Sequence, residues 1–532
     1  MNLPTFYRYL NIFKYYIYQL VNVRYYSVVD LVGRTGENGE KILIDSYYAY
    51  GLYPTSQGKS RYFVYSASQA KSGHDGVSVI SDTVPWDGSQ STLADFHAGT
   101  GETSPGGSGA WVCKISEVDP FMAGAVGNAS VNDTVAVQAA LIHMVSQSVA
   151  FFLPAGTFLV SSLTITGRFN ITGTGRLSVL KAATTSASLL TININTTTVN
   201  DVKIGNLKFL GVNSADTNHV AIRFTGDNTS FIQFGDYSNI WVEGFYAFVK
   251  DEKLPRTTVS GLEAMLNWST WSNIHFNNVK QYLFWLTQGS GTGNVWNNIV
   301  GLMLDPLSAT WFFDGNGCVA GDVIINGAHL GCRDTVSGSI GIKVGDNTTY
   351  RSNFSISNSQ FDAHCDTPLL LSSVGSERYV NWKFYNCNGI DLSFPDIHYM
   401  SYSRSEDRYS DLRKVGRAII SDATGSATNT CFRIGMAANS AVNIEVLANG
   451  VVGGVGALSS RHIIAIKTDG VTMTSNIVES DIDTAGQLTI TCVSVSASEA
   501  NIRVTYNPLS SGTSFTVTGI ASGEQYKITN NA

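Results

Sequence analysis

NIWVEGF, residues 239–245, alternates apolar and polar side chains and then turns on a glycine. Such alternation reads as a strand with Ile240 and Val242 on one face and Trp241 and Glu243 on the other. Its weight comes from recurrence. NLKFLG from Asn206, NIHFNNV from Asn273, NIVGLML from Asn298, IINGAHL from Ile324, SISNSQF from Ser355 and NWKFYNC from Asn381 follow the same plan. With Leu207, Ile240, Ile274, Ile299, Ile325, Ile356 and Trp382 as anchors, the spacings are 33, 34, 25, 26, 31 and 26 residues, in the range of repeat solenoids. A second apolar strand follows most anchors: YAFVKD, YLFWLT, TWFFDG, GIKVG and PLLLSS. A coil of about 25 residues with two or three short strands is one rung of a parallel β-helix, stacked on the next at about 4.8 Å.

The fold class is therefore all-β, a right-handed parallel β-helix over residues 149–400. Ile240, Val242, Ile274, Phe276 and Ile299 are expected inside; Trp241, Glu243, His275 and Asn277 are expected outside. Five residues past the anchors lies another apolar column, Phe245, Val279, Leu304, Leu330, Phe361 and Cys387. Its parity is wrong for one straight strand, so a corner is expected just before it.

Upstream, NDTVAVQAALIHMVSQSVAFFLPAGTFLVSSLTI (residues 132–165) switches from helical to strand spacing. Asn132 or Asp133 can cap a helix with Val135, Ala139 and Ile142 on one face. A β-helix leaves its first coil with an open apolar end, and a helix laid across it serves as a lid. The remaining segments are residues 1–34, a small N-terminal module over 35–118, a linker and capping helix over 119–148, a charged neck over 401–417 and short alternating segments over 418–532. The last of these reads as a C-terminal β-sandwich.

Composition agrees with this picture. Only 14% of the 532 residues are charged and the net charge is −7, with no basic stripe to suit nucleic acid. Seven scattered cysteines without a CxxC argue against a disulfide framework or a zinc site and for assembly in a reducing compartment. The Tyr-rich start is interrupted by Arg8, Lys14 and Arg24, so membrane insertion is not expected. Sequons such as Asn170–Thr172 and Asn267–Ser269 are expected by chance in so Asn- and Thr-rich a chain.

Capping helix, β-helix and C-terminal sandwich together resemble bacteriophage tailspikes, the capsular polysaccharide depolymerases with a pectate-lyase-like β-helix. RYFVYSASQAKSGHDGVSVIS, PWDGSQSTLADFHAGTGE and GSGAWVCKI, within residues 61–115, look like the module such spikes carry before the helix. GAVGNASVNDT keeps only the final Asp-Thr of the Gly-Asp-Gly-x-x-Asp run common at that point. The resemblance implies an elongated homotrimer that binds and cuts bacterial capsular polysaccharide. It also implies a place on the phage tail with another tail protein, synthesis in the host cytoplasm and action at the bacterial surface.

No G-x-S-x-G, Walker loop, H-E-x-x-H or dinucleotide fingerprint is present, and no cofactor or metal is expected. The remaining route is a carboxylate pair, about 5 Å apart for retention or about 6.5–9.5 Å for inversion. Asp305 and Asp362, six residues past their anchors, are two rungs apart, about 9.6 Å, with His329 between. Glu243, Asp251 and Asp314 form a second set, and in a trimer the two acids can come from different chains. Trp241 and His275 are the preferred outward sugar-binding pair. A lyase acting on a uronic acid is the alternative chemistry, with His329, Arg333 and Lys343 as base and cations. A non-catalytic glycan-binding tail adhesin is the alternative class. Asp305 before Pro306 and Asp362 at a strand end also suit plain turns.

Overall fold

The computed structural model describes residues 26–49, 60–195, 198–226, 232–252, 266–286, 293–303, 308–313, 322–332, 340–344, 352–361, 367–371, 380–385, 387, 400–403, 413–420, 427–436, 440–452, 456–468, 473–481, 488–496, 499–506, 514–523 and 526–530. The chain divides into two compact units, Met1–Asn193 with Lys203–Val212 and Ile194–Val202 with Asn213–Ala532.

The first unit opens with a five-stranded sheet in the order Tyr26–Ser27, Lys41–Ser46, Arg61–Ala70, Ser108–Val112, Val79–Ser81. It thus begins ahead of residue 35. Trp111 is fully buried, and its indole N–H donates to the Arg34 carbonyl at 2.9 Å. Lys71 and Asp82 form a buried ion pair at 2.5 Å. Asp75 ties this sheet to the following helix: its carboxylate accepts from the Val77, Ser78 and Val79 amides and from His143 Nδ1. Burial pushes the Asp75 carboxyl up, but the His143 bond and the amide bonds outweigh it and hold it well below the usual carboxylate range.

The helix runs Thr134–Gln147 and buries Ala136, Val137, Ala140, Leu141, His143 and Met144. The expected face of Val135, Ala139 and Ile142 is the wrong one: Ile142 is 59% exposed. The segment VAVQAALIHMV is apolar nearly all round, so spacing alone admits both faces. The Asn132 side chain accepts from the Thr134 amide at 3.0 Å. Asp133 turns back instead, accepting from the Val126 and Gly127 amides at 2.6 and 3.0 Å. Burial pushes its carboxyl up to about 6 despite those bonds. Gln138 clamps the helix to the Thr164 backbone through both its amide atoms. Parallel strands follow: Ala150–Leu153 pairs Asn170–Gly173, which pairs Lys203–Leu210, and Leu163–Ile165 pairs with residues 190–192.

The second unit holds a parallel β-solenoid. Its long face stacks Asp236–Glu243, Thr270–Val279 and Asn294–Met303 in parallel. The next two levels of that face are Asp322–Asn326 with His329–Cys332 and Ser352–Ser357 with Gln360–Phe361. Val380–Tyr385 and Met400–Ser403 extend it. A second face stacks Val220–Gly226, Ala247–Asp251, Tyr282–Leu286, Ala309–Phe313, Ile340–Val344 and Thr367–Leu371. A narrow third face holds Val199–Asn200, Ile232–Gln233 and Leu266–Asn267.

Three successive long-face strands are bent at an equivalent residue. Asn239, Asn273 and Asn298 are left-handed, with φ of 54° in each, a conformation asparagine tolerates better than most residues. Their amides form a ladder: Asn273 Nδ2 donates to Asn239 Oδ1 at 3.0 Å, and Asn298 Nδ2 to Asn273 Oδ1 at 2.8 Å. The bend lets inward residues lie three apart, Tyr237 with Ile240, Trp271 with Ile274 and Trp296 with Ile299, all buried. Tyr237 stacks on Trp271 at 3.9 Å between ring centroids, and Phe284 on Trp311 at 5.9 Å. These large aromatics are interred within one chain.

The pairing also corrects the anchor column. Ile325 pairs with Trp296, not Ile299, and Ile356 pairs with Ile325. The true continuation of Ile299 is Ala328, since the flanking pairs are Asn297 with Asn326 and Val300 with His329. Beyond this solenoid lie two antiparallel sheets. One is ordered Arg413–Ile420, Ser514–Gly523, Ser440–Val452, Gly456–Thr468, Met473–Asp481; the other is Leu488–Ser496, Glu499–Tyr506, Ala427–Met436, Tyr526–Asn530. Ile444, Val446, Ile464, Ile466 and Ile502 are buried there. Among the described residues no helix is long and apolar enough to cross a membrane.

Candidate active site

Pairing on the long face sets Trp241 beside His275, His275 beside Val300, Val300 beside His329 and His329 beside Gln360. Each of the five follows a buried residue, Ile240, Ile274, Ile299, Ala328 and Ser359, so the column faces outward. At about 4.8 Å per rung the column is about 19 Å long. The Trp241 and His275 rings stack at 5.7 Å with 10° between their planes. Both are half-buried, which holds them in place, while His329 and Gln360 are exposed. Flat apolar faces beside ring N–H and amide groups match what a pyranose offers, a C–H face ringed by hydroxyls. Three of the expected binding residues, Trp241, His275 and His329, are thus brought together.

Glu243 is outward and half-buried on the same strand as Trp241. Its column continues as Asn277 and Leu302, so among the described residues it gains no carboxylate from the next two rungs. Asp236, the other outward acid of that strand, lies seven residues back. That is roughly 20 Å along a strand, too far for a glycosidase pair.

Asp305, Asp314, Asp362 and Arg333 lie outside the described residues. Setting Asp305 over Asp362 requires Ile299 and Ile356 to be equivalent anchors, and the pairing removes that equivalence. Phe361 pairs with Leu330, and Leu330 with Gly301.

Asp251 is not a solvated turn carboxylate. It pairs between Phe224 and Leu286 in an inward column and is fully buried, so it cannot meet a polysaccharide on the outer surface. Two rungs on, its column reaches Phe313 rather than Asp314. Lys343 is half-buried on the second face, with its ammonium 4.5 Å above the Phe312 ring. It therefore belongs to a different sheet from His329, and the two do not form one base-and-cation set.

The second face carries a strip that strand alternation does not single out. Arg223, Lys250, Trp285, Phe312 and Lys343 pair in one outward column. Lys250 lies 3.9 Å over the Trp285 ring, and Tyr282 packs against both Trp285 and Phe312. Glu252 bridges Lys250 and Arg223. Burial works against that carboxyl, but its bonds to Lys250 and Arg223 outweigh it and hold it below the usual range. Spacing along the chain does not separate Trp285 from the core tryptophans; the second-face register does.

Several solved structures are similar to this chain. The tailspike protein gp49 from Acinetobacter baumannii bacteriophage Fri1, a capsular polysaccharide depolymerase, matches over 95% of this chain and 99% of its own, at 13% identity and a TM-score of 0.36. The Acinetobacter phage vB_ApiP_P1 tailspike matches over 95% and 98%, at 12% identity and 0.38. Pantoea stewartii WceF, a glycan biofilm modifying enzyme with a tailspike-like parallel β-helix, matches over 92% and 69%, at 14% identity and 0.35. No protein-family model matches the chain, and no curated protein matches it. At such identities the function has to be argued from the chain's own residues.

Proposed function

We propose that this chain is a phage tailspike that binds bacterial capsular polysaccharide and cuts it by hydrolysis. The observation that carries the reading is the outward column Trp241–His275–Val300–His329–Gln360. It is a rigid strip, long enough to hold several sugars, displayed on stacked strands rather than on loops. Glu243 is the described acid nearest that strip along the chain. Its partner acid is drawn from Asp305 or Asp362, or from a neighbouring copy in a homotrimer. Within the same reading, the helix Thr134–Gln147 serves as a lid on the first coil and the two C-terminal sheets form a sandwich. Trimer and attachment to a tail protein rest on the sequence resemblance alone.

The test is mass spectrometry of oligosaccharides released from a panel of purified capsules, with Glu243→Gln, Asp305→Asn and Asp362→Asn beside the parent. New reducing ends, lost in Glu243→Gln and in one of the other two variants, support hydrolysis. Product ends absorbing near about 235 nm mean elimination instead. Capsule binding without release on any panel member makes the protein an adhesin.

A further inference from the structure

At the turn between the third face and the long face, two large aromatics are held where aromatics are rarely found. Phe234 and Trp268 both have left-handed backbones, with φ of 56° and 50°. Bulky residues are genuine outliers there. Both are also largely in solvent, 53% and 47% exposed. Their rings nonetheless stack, with centroids 5.6 Å apart and 16° between planes.

The stack is set by the solenoid register. Asn200 pairs with Gln233 and Gln233 with Asn267, so the residues that follow, Asp201, Phe234 and Trp268, share one column. The next rung supplies Gly293, because Thr270 pairs with Val295. Asp201 and Gly293 are left-handed too, at 53° and 67°. Glycine is required at the last place: a Cβ on Gly293 would sit 2.1 Å from Trp268 Cδ1. The indole's Cδ1 edge therefore lies over bare backbone, Phe234 overlaps it only in part at 5.6 Å, and nearly half of its surface stays in solvent.

A turn that repeats the left-handed conformation four times would be filled most cheaply by glycine or asparagine, as the long-face bend is by Asn239, Asn273 and Asn298. Exposed aromatics gain little burial in exchange for the strain. Strain kept at an exposed position is how binding sites commonly appear.

We infer that Phe234 and Trp268 form a second carbohydrate-binding platform, which takes the C–H face of a neutral pyranose. Asp201 holds the same column one rung away and puts a carboxylate beside the platform. The same carboxylate repels an anionic sugar, which sets the preference for a neutral one. Among the described residues the exposed apolar patch is two rings wide, small by itself against the roughly 800 Å² that each partner gives a stable protein interface. The inference deepens the polysaccharide-binding reading and rests on it, but uses none of the residues assigned to cleavage.

The test labels the full chain with 5-fluorotryptophan and follows the fluorine spectrum. The Trp268 line is the one missing from Trp268→Phe. Methyl glucoside, galactoside and N-acetylglucosaminide are the probes, with methyl glucuronide as the anionic comparison. The expected result is a saturable shift of the Trp268 line with at least one neutral probe, and a weaker response to the glucuronide. Phe234→Ala is expected to weaken the apparent affinity about two- to tenfold, the scale of one aromatic contact. A Trp268 line that stays fixed with all three neutral probes overturns the inference, as does a response to the glucuronide alone.

Phe234→Asn and Trp268→Asn then separate binding from packing. Asparagine suits the left-handed turn, so the thermal midpoint should hold or rise. A fall in the midpoint for both variants makes the pair structural and also overturns the inference. Capsule cleavage is measured separately: a moving Trp268 line without cleavage leaves the platform standing and removes only the hydrolase reading.

Discussion

Trp271 and Trp241 belong to adjacent rungs of one sheet, yet they do opposite things. Trp271 points in, is 1% exposed and stacks on Tyr237. Trp241 points out and stacks on His275. The inner column is assembled from Tyr237, Trp271 and Trp296, with Phe284 and Trp311 across from it; the outer one from Trp241, His275, Val300, His329 and Gln360. The same strands build both, and alternation reset at the left-handed Asn239 and Asn273 decides which side chain holds the rung together and which is offered to a ligand. Replacements on the two sides should therefore differ in kind. Inside, they change stability; outside, they change recognition.

The largest effect is expected from Trp271→Ala. Removing a fully buried indole from a stack leaves a cavity its neighbours cannot fill, at a cost of about 3–5 kcal/mol. Chemical denaturation of parent and variant measures it. A loss under about 1 kcal/mol would mean that the inner column is not the core.

Next comes a charge placed inside. Asp133 is buried, and its carboxyl is raised from 3.8 to about 6. A raised pKa means that the folded state prefers the proton. The associated stability is complete below about pH 4 and is lost as pH rises through about 6. Each tenfold change in proton affinity is worth about 1.4 kcal/mol, so the loss between those limits is up to about 3 kcal/mol. Asp133 should thus add an upward slope to the first unit's thermal midpoint as pH falls from 7 to 5, set against the downward one from His74 and His97, whose imidazoles burial holds below their usual range, and Asp133→Asn should lose that added slope. An equally steep slope in Asp133→Asn would assign it to another group.

A smaller effect separates backbone from side chain at the bend that makes two inner columns out of one strand. Asn273 is left-handed, donates to Asn239 and accepts from Asn298. Asn273→Ala loses the conformational tolerance and both ladder bonds, about 1–2 kcal/mol together. Asn273→Gly keeps the tolerance and loses only the bonds, so it should cost less. Equal costs would show that the bonds alone matter.

That bend also explains what the sequence disclosed and what it hid. Alternation in NIWVEGF and NIHFNNV was enough to orient Ile240, Val242, Ile274 and Phe276 inward and Trp241 and His275 outward. It failed after Ile299 because two apolar columns run three residues apart on either side of the left-handed residue. On the next rungs the column of Ile299 continues as Ala328 and Ser359, while Ile325 and Ile356 carry on the column of Trp296. An apolar count follows the stronger signal, and the carboxylate pairing built on it lost its register. Phe234 and Trp268 were hidden for another reason. An exposed aromatic in a turn breaks no pattern in the sequence, since what is unusual about it is a backbone angle.

The smallest change in stability, and the one most telling for function, is expected at Trp241. Its ring stacks on His275 but stays half-buried, so Trp241→Ala removes one stacking contact and opens no internal cavity. Surface changes of this kind usually move stability by less than about 0.5 kcal/mol. If the outer column holds polysaccharide, the same substitution should weaken capsule retention about tenfold or more, because the flat face that meets the sugar is gone. His275→Ala should act in the same direction, and the two changes together should cost less than the product of the single effects, since each ring is the other's support. A double variant whose losses multiply in full would mean that Trp241 and His275 act at separate places. A Trp241→Ala protein that unfolds as Trp271→Ala does would mean that inside and outside had been assigned the wrong way round.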